Sequence, residues 1–264
     1  MNPVVNTRHG EVRGSVADGV NTFKGIPYAA PPFGANRLRA PQPFEAWSGV
    51  RDALAFGPEA PQLRPDDPQI QALTPDPAVP GEDCLNLNIW SPDPGAAALP
   101  VMVWIPGGMF EVGSGASYNG SHFARDGIVC ATINYRVGAN GFLDLGDGNA
   151  NLGLLDQVAA LEWVQENIAA FGGDPGNVMI FGQSGGGGKV VRMLHTPDAA
   201  GLFHKVAAQS GGNNTYRTTD PAASIKAQQT IAAHTLKHLN LTGDQIDKLK
   251  TVPYSQLIAA GAAA

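Results

Sequence analysis

Apolar residues along this chain gather in short runs rather than in one long periodic pattern. Val101-Met102-Val103-Trp104-Ile105, Ile128-Val129-Cys130-Ala131-Thr132-Ile133 and Val178-Met179-Ile180-Phe181 are almost continuously apolar, which predicts strands buried on both faces of a sheet. Leu85-Asn86-Leu87-Asn88-Ile89-Trp90 alternates apolar with polar residues, the pattern of a half-buried strand. Val206-Ala207-Ala208-Gln209-Ser210 is a weaker fifth strand signal. Between the runs 128–133 and 178–181 the rhythm changes. Leu154, Val158, Leu161, Val164 and Ile168 fall at helical spacing, with Asn151 placed to cap the helix and Gly172-Gly173 to stop it. Strand, helix and strand with buried apolar strands predict an α/β domain whose sheet is mostly parallel and covered by helices.

The flanks read differently. Residues 3–28 alternate β-rich pairs with glycine and predict a small antiparallel meander at the N-terminus. Residues 27–80 are rich in proline and lack periodicity, which predicts a long surface loop, with residues 58–80 the most mobile internal segment. After Ser210, helices are expected over 220–239 and 243–250; residues 254–264 end in Leu257-Ile258-Ala259-Ala260-Gly261-Ala262-Ala263-Ala264, and no further buried-strand run follows.

Composition narrows the function classes. With 264 residues, 43% of them hydrophobic, the chain can build one large domain or two small ones with a substantial core. A formal charge of −6 without a Lys/Arg cluster leaves no electrostatic footprint for nucleic acid. No apolar run is long enough to span a bilayer, and the first residues lack the apolar core of a signal peptide, so the expected setting is cytoplasmic with no membrane partner. Cys84 and Cys130 make neither a disulfide framework nor a metal-ligand cluster, and neither a metal nor any other cofactor is expected. Cys130 sits inside an apolar run and reads as a small core residue.

The candidate chemistry lies where the run 178–181 stops, at Gly182-Gln183-Ser184-Gly185-Gly186. A Gly-x-Ser-x-Gly sequence directly after a buried strand places serine at a sharp strand-to-helix turn, where side chains two positions either side would crowd it. A phosphate-binding loop would need glycine at 183 and a hydroxyl at 190; the chain has Gln183 and Val190. Acyl transfer through Ser184 also needs donors for the developing oxyanion. The N–H of Gly185 opens the following helix. A second set follows the strand 101–105 at Pro106-Gly107-Gly108-Met109-Phe110, a glycine pair at a strand end.

Four further stretches carry a resemblance. Phe23-Lys24-Gly25-Ile26-Pro27-Tyr28-Ala29-Ala30-Pro31-Pro32, Glu82-Asp83-Cys84-Leu85-Asn86-Leu87-Asn88, Asn134-Tyr135-Arg136-Val137-Gly138 and Phe171-Gly172-Gly173-Asp174-Pro175 through Ser184-Gly185-Gly186 resemble the N-terminal half of a type-B carboxylesterase, the family of bacterial p-nitrobenzyl esterases and cholinesterases. The resemblance implies that residues 1–264 are the N-terminal part of a single α/β-hydrolase domain, apparently truncated at its C-terminus. It implies hydrolysis of small-molecule carboxylic esters through an acyl-serine. Ser184 would be the nucleophile, the N–H groups of Gly108, Met109 and Gly185 the oxyanion hole, and Gly107 the residue shaping the loop. The chain departs from the family at Pro106, where His or Tyr is usual, at Met109, where a third glycine is frequent, and at Gln183 and Gly185, where Glu and Ala are frequent. Gln183 argues against a preference for cationic substrates. The family supplies its acidic residue and histidine from well downstream of the serine, so a complementing C-terminal segment is the implied partner. Of the chain's own histidines, His195 would stand roughly 16 Å along the helix from Ser184 at ~1.5 Å per residue, and the others lack a strand-end setting. A catalytically silent binding module, as in the family's adhesion proteins, is the alternative; the intact Ser184 and both glycine loops argue against it.

Overall fold

The structure is a computed structural model and describes residues 2–63, 79–211 and 221–264. The strands are β1 (Val4–Thr7), β2 (Gly10–Arg13), β3 (Ser15–Ala17), β4 (Val20–Pro27), β5 (Val50–Asp52) and β6 (Asn86–Ser91). They continue with β7 (Leu99–Ile105), β8 (Val129–Ile133), β9 (Gly173–Gln183) and β10 (Lys205–Gln209). The helices are α1 (Ser121–Arg125), α2 (Gly138–Phe142), α3 (Leu152–Asn167), α4 (Gly185–Met193), α5 (Pro221–His238) and α6 (Tyr254–Ala262). Gly243–Lys250, expected as a regular helix, is a 3₁₀ segment opened by a Thr242/Gln245 capping box.

A seven-stranded sheet of order β10-β9-β7-β8-β6-β4-β3 carries the molecule. β10, β9, β7 and β8 run parallel, and β6, β4 and β3 continue antiparallel from β8. The sheet is mixed, with its N-terminal part antiparallel, the arrangement that the α/β-hydrolase resemblance implies. The N-terminal meander divides between two sheets: β3 and β4 join the central one, while β1 and β2 pair with β5 in a separate three-stranded sheet. β5 therefore interrupts the expected proline-rich loop, and Phe33, Leu38, Ala53 and Ala60 from the same stretch are buried. Up to residue 63, proline punctuates this segment without leaving it unstructured. Residues 64–78, where most of the expected mobile segment falls, lie outside the described residues.

Burial corrects two strand expectations. β6 is buried along its whole length, although its sequence alternates. Its polar positions are satisfied inside: Asn86 Nδ2 donates to the Pro58 and Asp83 carbonyls, and Asn88 Nδ2 donates to Thr132 Oγ1 at 3.0 Å. β7 is the reverse case. Val101, Val103 and Ile105 are buried in the main core, but Met102 and Trp104 on the other face are only half-buried. That face borders an open cleft of about 410 Å³ lined by Met102, Trp104, Met179, Phe181, Ala207 and Gln209, with α1 covering one end through Phe123. An unbroken apolar run carries no record of which face lacks a cover.

α3 begins one residue after Asn151, as its sequence suggests, but Asn151 adopts a left-handed φ of 54° and its side chain makes no cap bond. Its carbonyl instead receives the Leu154 and Leu155 N–H groups. Gly172, at φ 86°, ends the turn after α3 and lets β9 start. Both cysteines are free and buried, and burial pushes their thiols up, Cys130 to about 12.

Candidate active site

The sequence Gly182-Gln183-Ser184-Gly185-Gly186 forms the expected junction between β9 and α4. Ser184 has φ 56° and ψ −125°, a strained backbone for a residue with a side chain. Neighbours hold it there: its N–H donates to the Gln209 carbonyl of β10 at 2.8 Å, and its carbonyl receives the Gly188 N–H at 3.0 Å. The glycines are required by contact. A Cβ on Gly182 would meet the Gly186 carbonyl carbon at 2.7 Å, and one on Gly186 would collide with the Ile105 carbonyl oxygen. Gly187 passes equally close to β10, where a Cβ would lie 2.7 Å from the Gln209 carbonyl oxygen. The glycine run 185–188 weakens the helix start intrinsically by on the order of 0.8–1 kcal/mol per residue relative to alanine, and in return brings the helix against two strands.

The loop after β7 comes to the same point. A Cβ built on Gly107 would lie 2.5 Å from the Gln183 carbonyl oxygen and 3.6 Å from Ser184 Cβ. One built on Gly185 would lie 2.8 Å from the Met109 nitrogen and 3.5 Å from that of Gly108. The structure thus brings together all five residues singled out in the sequence. Among the described residues, the N–H groups of Gly108, Met109 and Gly185 donate to no protein acceptor. Unpaired backbone donors converging beside a hydroxyl form a site for negative charge that develops on a bound oxygen.

The loop is strained and clamped. Gly108 has φ 112°, and Met109 and Phe110 follow at 52° and 75°. Two successive side-chain-bearing residues in the left-handed region need outside support. The Phe110 carbonyl receives the Gly138 N–H at 2.7 Å, the Pro106 carbonyl receives the Tyr135 hydroxyl at 2.5 Å, and the Gly113 N–H donates to Gln62 Oε1 at 2.7 Å. The Met109 side chain stands 74% exposed at the rim. Gln62 and Tyr135 gave no local sequence signal for this role, because they arrive from distant parts of the chain.

Among the described residues, no histidine or carboxylate hydrogen-bonds Ser184, and no cluster of three His, Cys, Asp or Glu side chains could hold a metal ion. His195 is exposed just beyond α4, and His204 Nδ1 receives the Val178 N–H at 3.2 Å, a structural duty.

A sequence profile described as Carboxylesterase family matches residues 1–263. The chain belongs to the carboxylesterase family. It is 46% identical over 264 residues to the para-nitrobenzyl esterase of Bacillus subtilis (strain 168), covering 97% of this chain and 52% of that protein. It is 42% identical over 262 residues to the phenmedipham hydrolase of Pseudarthrobacter oxydans, covering 97% and 51%. A solved PNB esterase superimposes with a TM-score of 0.89 at 42% identity, over 100% of this chain and 54% of that one. The chain therefore spans about half the length of the carboxylesterases it matches.

Proposed function

We propose that this chain is the nucleophile-bearing part of a carboxylic-ester hydrolase that works through an acyl-serine. The observation that carries the reading is the meeting of Ser184, at its strained junction, with three backbone N–H groups that have no protein acceptor among the described residues. Ser184 Oγ attacks the ester carbonyl carbon. The carbonyl oxygen takes up the negative charge and is held by the N–H groups of Gly108, Met109 and Gly185. The alcohol leaves, and water then hydrolyses the acyl-serine. Gly107 lets the donor loop lie against Gln183 and Ser184. The printed names of the relatives, esterases and a hydrolase, support an ester substrate.

The base and the acid that orients it come, in this reading, from a further polypeptide segment packed over the open face around Trp104 and Phe181. Two facts support this: the relatives are about twice as long, and no histidine here reaches Ser184. Without a positioned base the serine is a weak nucleophile. The 264 residues alone should therefore hydrolyse p-nitrophenyl butyrate negligibly, whereas the chain expressed with such a segment should turn over and label at Ser184 with a fluorophosphonate. Ser184→Ala should abolish labelling and lower turnover by several orders of magnitude. Labelling that survives in the alanine variant overturns the assignment, and failure to label in any form favours a silent module.

A further inference from the structure

Lys189 lies on α4, five positions after Ser184, and is fully buried. Long side chains on a helix point back toward its N-terminus, and Nζ accordingly donates to the Gly185 carbonyl at 3.3 Å. Among the described residues this is its one hydrogen bond, for three N–H donors. Aromatic faces supply the rest of its surroundings. Nζ stands 3.9 Å from the Phe110 ring centroid, 5.1 Å from Tyr135 and 5.8 Å from Phe142. Phe110 is the second left-handed residue of the donor loop, and its ring also meets Phe142 edge-on at 4.9 Å. Lys189 thus touches both elements that carry the oxyanion donors.

We propose that Lys189 is a positioning residue for the oxyanion hole: its Nζ ties the first turn of α4, at the Gly185 carbonyl, to the ring of Phe110, and so sets where the Gly108 and Met109 N–H groups stand relative to Ser184. The inference rests on the catalytic reading above for its functional consequence, though not for its structural one. The tie depends on charge, because ring faces attract an ammonium and not an amine. Burial lowers the Lys189 pKa from 10.5 to about 7, and the Glu111 carboxylate opposes that shift. The titratable groups facing Nζ are Glu111, on the same loop, and Tyr135, whose buried hydroxyl is pushed far up and stays neutral; Phe110 and Phe142 complete the cage. The donor loop is therefore held by an ammonium in mildly acid solution and released as that ammonium loses its proton.

Hydrogen exchange of the Glu111, Val112 and Gly138 amides tests this directly, since their bonds to the Gly108 and Phe110 carbonyls define the loop. After correction for intrinsic base catalysis, their protection in the wild type should fall about tenfold between pH 6 and pH 9, as expected for loss of a desolvated cation–ring contact. Lys189→Met should show low protection throughout, and Lys189→Arg should stay protected at pH 9. Phe110→Leu carries the same expectation as Lys189→Met and serves if that variant does not fold. Glu111→Gln should keep the step and move it to lower pH. An unchanged step in Lys189→Met or Phe110→Leu, or no step in the wild type, overturns the proposal, as does a step lost only in Glu111→Gln. Where hydrolysis depends on Ser184, Lys189→Met should lower kcat by about 10- to 100-fold with KM within about threefold, and an unchanged kcat also overturns it. Ser184→Ala alone decides the catalytic reading, while the exchange experiment needs no turnover, so the two can fail separately.

Discussion

Two of the buried cations, Arg136 and Lys189, are treated in opposite ways. Arg136, after β8, meets Asp156 of α3 through two side-chain bonds, Nε to Oδ2 at 2.8 Å and Nη2 to Oδ1 at 2.6 Å. The Arg136 N–H also donates to Asp156, and Nη1 donates to the Arg39 carbonyl. Burial pulls its pKa down, but the charge and hydrogen bonds of Asp156 outweigh burial and the net shift is upward. Lys189 has one carbonyl, three ring faces and a more distant carboxylate, and burial wins. Each nitrogen of the Arg136 fork finds an acceptor, whereas the Lys189 ammonium leaves donors over. The first arrangement fastens the helix layer to the sheet. The second sits under the loop that carries the proposed chemistry, and it leaves a group that can change charge near neutral pH.

The contrast is broken most forcefully at Asp156. Asp156→Ala strands a guanidinium in the core and should destabilise the fold by about 3–5 kcal/mol, read as a loss of denaturation midpoint in urea. A loss under about 1 kcal/mol would mean that the pair is not the fastening described.

Lys189→Met should act in the other direction, removing a poorly paired charge and raising stability by roughly 1–4 kcal/mol at pH 6. The gain should shrink as pH rises. The unfolded chain keeps Lys189 protonated up to its ordinary 10.5, while the fold releases that proton near 7. Between those values the unfolded state binds more protons, so this group's contribution to wild-type stability climbs with pH, and its cost is complete below about 7. A variant whose advantage grew toward pH 9 would contradict that. The gain in stability should accompany looser exchange in the donor loop, a trade between stability and function at one residue.

Smallest is Glu111→Gln. Burial pushes the Glu111 carboxyl up and Lys189 pulls it down, with burial the larger influence. Glu111 keeps part of its solvent contact, so screening holds the stability change to under about 1 kcal/mol. A larger loss would show that Lys189 is ion-paired as Arg136 is, and the distinction between the two sites would fall.

The site was legible in the sequence wherever the requirement is local. Gly182 and Gly186 flank Ser184 because a turn this tight admits no side chain, and that demand is written within five residues. Gly107-Gly108 after an apolar strand was legible for the same reason. The supports were not. Gln62, Tyr135 and Gly138 reach the donor loop from three separate segments. Nothing in the local sequence marks Lys189 for burial, and only the approach of Phe110, Tyr135 and Phe142 encloses it. For the fold, apolar runs located the strands but not their neighbours: β6 became buried on both faces because the Pro58 region and β8 accept its asparagines, and β7 stayed open on one. The direction of β6 could not be read either, since a strand's sequence does not record whether its partner runs parallel.

The two sequestered thiols make this chain a convenient host for site-specific chemistry. A maleimide or a spin-label reagent attacks through thiolate, and neither Cys84 nor Cys130 offers one: both are buried, and burial suppresses their ionisation. A single cysteine introduced at Met109, 74% exposed on the rim of the donor loop, would then be the one readily modified sulfhydryl in the folded protein. A fluorophore or nitroxide placed there would report the opening and closing of that rim without any prior removal of native residues.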